Sequence, residues 1–146
     1  MIPEIIDIDQ EIKVVGLSFQ KSGLPQNYEA IGTLWEIYVE KYLYSVKNAV
    51  CPIVEYGICV CDKIPHDYIA GCAVTEIGSL DEGWRSFIIP SGRYVKIAVK
   101  SDMELYQADI TAWTKANGYK TIDTFCMDVR PIEGNVDMYN LWPISE

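Results

Sequence analysis

The chain has 146 residues, of which 49% are apolar and 23% charged, an ordinary globular mixture that excludes fibrous and disordered classes. A chain of this size can bury roughly 70% of its unfolded surface, so one self-sufficient domain over residues 1–146 is expected. The net charge of −9 opposes the phosphate backbone and argues against direct nucleic-acid binding, while it favours cations near the surface.

Met1-Ile2-Pro3-Glu4-Ile5-Ile6-Asp7 lacks the basic start and apolar run of a signal peptide. No stretch approaches the roughly 18 apolar residues that span a bilayer, so a cytoplasmic location without membrane contact is expected. The five cysteines, an odd number without a secretory signal, read as buried thiols rather than a disulfide framework.

Ile12, Val14, Leu17 and Phe19 mark a first strand that ends at Ser22-Gly23-Leu24-Pro25. Asn27 is placed to cap a helix, in which Ile31, Leu34, Trp35, Tyr38, Val39, Tyr42 and Val46 recur at three- and four-residue steps. Val54, Tyr56, Ile58 and Val60 alternate with Glu55, Gly57, Cys59 and Cys61 as a strand, and a polar link at 62–67 leads into another at 68–75. After the Gly-containing linker 76–83 the order begins again, with extended segments at 85–89 and 93–99 around Pro90-Ser91-Gly92. Ser101 and Glu104 have capping-box spacing at the start of a second helix. Leu105, Ala108, Ala112, Trp113 and Ala116 form its apolar stripe, and Asn117-Gly118 closes it. Segments 122–129 and 136–144, joined through 131–135, complete the set as strands.

The chain thus reads as two strand-helix-strand-strand units of an α+β fold. Pairing them gives a mostly antiparallel sheet with both helices on one face and a central cleft where the halves meet. A ligand is expected there.

Tyr56-Gly57, Tyr68-Ile69-Ala70-Gly71, Ile89-Pro90-Ser91-Gly92-Arg93-Tyr94, Trp113, Gly118-Tyr119 and Leu141-Trp142-Pro143-Ile144 together resemble the GyrI-like effector-binding domain, the sensor half of AraC-type and MerR-type regulators. The resemblance runs from about Ile12 to Ile144 and leaves no room for a helix-turn-helix. It implies a stand-alone effector-binding or sequestering protein, of the kind some mobile gene cassettes encode. It also implies an acidic residue at the cleft bottom, ten positions after the Gly of the Gly-Tyr pair, which here is Asp128. The family usually has Glu at that place and tends to have Tyr two residues later, where this chain has Arg130.

Asp128 and Arg130 share one strand face, so two arrangements are open. Arg130 can pair with the carboxylate and occupy it. Alternatively Arg130 points to solvent, and Asp128 serves as counterion for an amine or amidinium in an aromatic cleft. With ten tyrosines and four tryptophans in the chain, the expected lining is Trp35, Tyr38, Tyr56, Trp84 and Tyr94, which would hold cations and planar rings. Trp35 and Tyr38 can equally be helix core.

Cys59 and Cys61 lack C-x-x-C spacing, and with His66 and Cys72 they fit no standard metal pattern. The chain has no G-x-S-x-G elbow and no phosphate-binding Gly-rich loop, so neither a cofactor nor a metal is expected. The leading reading is a binder of hydrophobic, aromatic or cationic small molecules, with a homodimer and a partner regulator both left open. The alternatives are a hydrolase of strained electrophiles using Asp128 and a cleft tyrosine, and a protein-interaction inhibitor of gyrase type.

Overall fold

A computed structural model describes residues 3–98, 107–132 and 137–146. Its elements in chain order are β1 (Glu4–Ile8), β2 (Ile12–Ser18), α1 (Glu29–Lys41), β3 (Val54–Val60), β4 (Asp67–Val74), β5 (Trp84–Ile89), β6 (Gly92–Ala98), α2 (Gln107–Ala116), β7 (Lys120–Thr121), β8 (Phe125–Pro131) and β9 (Tyr139–Ser145). The strands form one nine-stranded antiparallel sheet in the order β1-β6-β9-β8-β3-β4-β2-β5, with the short β7 beside β9. The fold is α+β, and the sheet is open, because β1 and β5 end it without pairing to each other.

That order is symmetric about the junction of β3 and β8. Exchanging β1-β2-α1-β3-β4 for β5-β6-α2-β8-β9 maps the sheet onto itself. Each half therefore contains the expected strand-helix-strand-strand unit preceded by one more strand, and those leading strands are exchanged. β1 pairs with β6, and β5 pairs with β2. Segments 85–89 and 93–98, although consecutive, thus belong to different ladders.

Directly opposed residues of an antiparallel pair share a face, which fixes the position of both helices. Val95 opposes Trp142, Asn140 opposes Asp128, Asp128 opposes Gly57, and Gly57 opposes Ala70. Because Asn140 and Trp142 are two apart on β9, all these residues lie on one face. α2 packs Ile110 against Val95, Ile97 and Ile144 of that face, and α1 packs Ala30, Leu34 and Tyr38 against Tyr68 and Ala70. Asp128 thus sits on the helix-bearing side, near the symmetry axis.

The other face holds the main core, including Val14, Ile58, Ile69, Tyr94, Phe125 and Met127. Phe87 of β5 and Phe125 of β8 have ring centroids 5.1 Å apart, although four strand spacings, about 19 Å in a flat sheet, separate their strands. The sheet therefore curls around its own apolar face. Gly16 and Gly71 oppose each other in the β2·β4 ladder, and a Cβ on either would strike the partner backbone, so this pair permits the strands to bend together.

Asn27 caps α1, its Oδ1 accepting the Ala30 N–H at 3.0 Å. The helix stops at Lys41, so Tyr42 and Val46 pack from the turns beyond it, and Val39 lies at the exposed edge of the stripe. From Asp109 to the end of α2 the buried positions are Ile110 and Thr114, with Trp113 half-buried, whereas Ala112 and Ala116 are exposed; the Ala108 side chain lies outside the described residues. The stripe is centred on Ile110, since a large β-branched side chain gains more from burial than alanine does. Gly118 follows α2 with φ 86°, the left-handed conformation of a C-terminal glycine. The Ser101–Glu104 capping box and Leu105 lie outside the described residues. Asp123 and Thr124 form a turn, so β8 begins only at Phe125.

Candidate functional site

Between α1 and the central strands β3 and β8 lies a cleft of about 670 Å³, bordered by Tyr28, Ile31, Trp35, Glu55, Tyr68, Asp128, Arg130 and Met138. Asp128 lies on its floor because it opposes Gly57, the one residue of β3 on this face without a side chain. Tyr68, on β4, leans across that gap. Its hydroxyl donates to Asp128 Oδ2 at 3.3 Å, and it accepts the Trp35 Nε1–H at 3.0 Å. A Cβ on Gly57 would strike the Tyr68 phenol and come within 3.1 Å of Trp35, so the glycine is what lets this chain of hydrogen bonds form.

Burial raises the pKa of Asp128 above the ordinary aspartate value, and the Tyr68 hydrogen bond only partly offsets this. Burial, followed by the charge of Asp128, raises that of the Tyr68 phenol as well, so it remains a neutral donor. Asp128 has no ion-pair partner among the described residues.

Arg130 is committed elsewhere. Its Nη2 donates to Glu55 Oε2 at 2.8 Å, and its guanidinium stands 5.9 Å from the Trp35 ring centroid. Glu55 and Arg130 are direct ladder partners, with Cβ atoms about 5 Å apart, whereas Asp128 and Arg130 are separated by two residues, or about 6.6 Å, along one strand. The cross-strand partner therefore captures the arginine, and the Asp128–Arg130 pair does not form. The Glu55 side chain is 1% exposed, and among the described residues its Oε1 has no hydrogen-bond partner. Glu55 and Arg130 thus satisfy each other's charge, which leaves Asp128 on the floor and the exposed Glu29 as the other carboxylates lining the cleft.

Of the six residues expected to form the site, the structure brings Asp128 and Trp35 together in this cleft. The other four lie elsewhere. Tyr38 is fully buried beneath α1, edge-on to Trp35 with centroids 5.6 Å apart. Tyr56 points to the opposite face, because its neighbours Glu55 and Gly57 face the cleft and side chains alternate along a strand. Trp84, on the edge strand β5, packs edge-on against Tyr42 at 5.1 Å in a smaller hollow with Val15 and Leu80. Tyr94 is in the inner core and donates its hydroxyl to the Pro90 carbonyl at 2.6 Å.

Glu55 and the linking role of Tyr68 went unread in the sequence. Two signals pointed to them: a carboxylate inside the otherwise apolar strand Val54–Val60, and Gly57 in its middle, which marks a close approach. Among the described residues no group of three His, Cys, Asp or Glu side chains is arranged to hold a metal, and no helix is long and apolar enough to cross a membrane.

Comparison with solved structures finds the same fold in several proteins. An integron cassette protein from the mobile metagenome of Vibrio cholerae aligns over 98% of this chain and 95% of its own, with 18% identity and a TM-score of 0.59. The C-terminal domain of EcmrR aligns over 99% of this chain and 98% of its own, with 14% identity and a TM-score of 0.65. SAV2435, solved bound to tetraphenylphosphonium, aligns over 99% of this chain and 94% of its own, with 13% identity and a TM-score of 0.60. At these identities the likeness carries the fold alone. No curated protein matches the sequence significantly. The family model of the integron-associated effector binding protein Cass2, however, matches residues 4–140. The chain therefore belongs to the Cass2 family of integron-associated effector-binding proteins.

Proposed function

We propose that this protein binds hydrophobic aromatic cations in the cleft between α1, β3 and β8, with Asp128 as counterion and Trp35 as the stacking surface. The observation that carries this reading is a buried carboxylate that lacks a cationic partner among the described residues while the nearby arginine is held by Glu55. Such a group is costly to ionise when the cleft is empty, and a ligand cation offsets that cost. Trp35 is held by the Tyr68 hydrogen bond at one side and the edge of Tyr38 at another, so its ring is ordered before a ligand arrives. Tyr38 thereby supports the cleft from behind.

Family membership supports small-molecule binding, and tetraphenylphosphonium in SAV2435 supports the choice of an aromatic cation. The test is a thermal-shift series of cationic aromatics and neutral aromatics of matched size. Ligands that bind only the folded state raise Tm. Cations are expected to raise it and their neutral counterparts to do so less, whereas equal shifts would remove the counterion role.

A second reading rests on the Tyr68–Asp128 contact of 3.3 Å, an acid with an aromatic hydroxyl beside it, which suits positioning of water for hydrolysis of an electrophilic ligand. Mass spectrometry of a strained electrophile incubated with the protein distinguishes turnover from stoichiometric retention.

A further inference from the structure

At one end of the cleft floor, the β3·β8 ladder gathers three thiols on the helix-bearing face. Cys59 and Cys126 are direct ladder partners. Cys61 follows two residues after Cys59, and its Sγ donates to Cys59 Sγ at 3.5 Å. All three are free and half-buried, while Cys72 is buried and Cys51 is exposed outside the cluster.

Register decides which two can join. The Cys61 N–H donates to the Thr124 carbonyl at 2.8 Å, so Cys59 and Cys126, one alternation further along, form a hydrogen-bonded ladder pair with Cα atoms about 5.5 Å apart. That separation is the commonest among disulfides. Residues two apart along a strand are about 6.6 Å apart with parallel side chains, near the outer limit for bridging. A Cys59–Cys126 bridge requires the Cβ atoms to draw in by about 1 Å, which makes it strained and readily reduced.

We propose that Cys59, Cys61 and Cys126 form a thiol site oxidised by peroxides, with Cys59 as the attacking sulfur, Cys126 as the resolving thiol and Cys61 as a donor to the Cys59 sulfur. The Cys59 thiolate attacks one peroxide oxygen, and the O–O bond breaks. The departing oxygen takes a proton and leaves as water, or as an alcohol from an organic peroxide, and Cys59 becomes a sulfenic acid. The Cys126 sulfur then attacks the Cys59 sulfur, the S–O bond breaks, and the hydroxyl leaves as water with the Cys126 proton. Two thiols are oxidised to one disulfide as one peroxide is reduced.

The electrostatics agree with these roles. The Cys126 thiol, then Cys61 and His66, lower the Cys59 pKa against burial and the Asp128 charge. The Cys126 pKa is raised, by its contact with Cys59 and by burial, which suits a thiol that stays protonated until the sulfenic acid forms.

The test exposes the reduced full chain to hydrogen peroxide, blocks remaining thiols by alkylation, and maps peptides without reductant. Expected is a Cys59–Cys126 cross-link that forms about tenfold or more faster than oxidation of exposed Cys51, the internal reference. Cys59→Ser abolishes the bridge. Cys126→Ser leaves Cys59 trapped as a sulfenic acid by a selective dione, and Cys61→Ser retains the bridge but forms it more slowly. Oxidation of Cys59 no faster than Cys51, or a bridge from Cys59 to Cys61, overturns the proposal. The wild-type map alone decides this, whether or not each variant folds.

Discussion

Gly57 opposes Asp128 at the midpoint of the β3·β8 ladder, which runs from Val54↔Pro131 to Val60↔Phe125, and the missing side chain of the first gives Tyr68 its path to the second. Sheet symmetry places this pair where the two halves meet. The site's central hydrogen bonds thus depend on an absent Cβ.

Gly57→Ala is expected to destabilise the protein by about 1–3 kcal/mol through overpacking against the Tyr68 phenol, as read by urea unfolding. Adding Tyr68→Phe removes the hydroxyl that the new methyl meets first. The two changes should therefore cost less together than the sum of their separate costs. Strict additivity would show that the methyl is accommodated elsewhere.

Asp128→Asn tests the electrostatics of the empty cleft. A carboxyl whose pKa is raised by folding contributes stability that is fully present below its unfolded value and lost as pH rises through the folded one. The ligand-free Asn variant should therefore melt above the wild type at neutral pH. The difference should shrink toward zero as pH falls below 3.8, the ordinary aspartate value. A variant that melts lower at neutral pH would contradict the burial argument.

Asp67 behaves in the opposite sense. Burial alone would raise its pKa, but the Gln20 N–H, Arg85 at 2.9 Å, Ser18 at 2.8 Å and the Tyr68 N–H together bring it below the ordinary value. Its contribution is present above the unfolded pKa and lost as pH falls through the folded one. Asp67→Asn should cost about 2 kcal/mol at neutral pH, and the loss should narrow in acid.

Arg130→Gln leaves Glu55 buried without its cation. Since Arg130 is itself half-exposed, the expected cost is about 1–2 kcal/mol, below that of a fully buried pair. The same change removes the positive charge beside Trp35, so affinity for an aromatic cation should rise severalfold. Titration of the variant by tryptophan fluorescence reads this directly, and a fall in affinity would instead assign the guanidinium to ligand contact.

Local elements were legible in the sequence where one signal acted alone: the Asn27 cap, the helical spacing of Leu34 and Tyr38, and the alternation along Val54–Val60. The exchange of β1 and β5 was not, because it depends on pairings between distant segments and Glu4–Ile8 carries little pattern of its own. Site residues were harder to assign for a physical reason. Both faces of the central strands are covered, one by the helices and one by the curled sheet, and all eight residues of β4 are buried. An aromatic side chain on such a strand is apolar in an apolar setting on either face. Tyr56 and Tyr94 were therefore indistinguishable from cleft residues until the register placed Asp128 and Glu55 on one face, whereas Trp84 shares that face and is kept from the cleft by its place on the edge strand β5.

The most direct measurement is calorimetric titration of tetraphenylphosphonium into the wild type and Asp128→Asn at neutral pH. The variant keeps the shape of the cleft and an acceptor for Tyr68 but loses the charge. Binding at least about tenfold weaker in the variant, or about 1.4 kcal/mol, is the predicted result, and equal affinity in the two proteins would contradict the role given to Asp128.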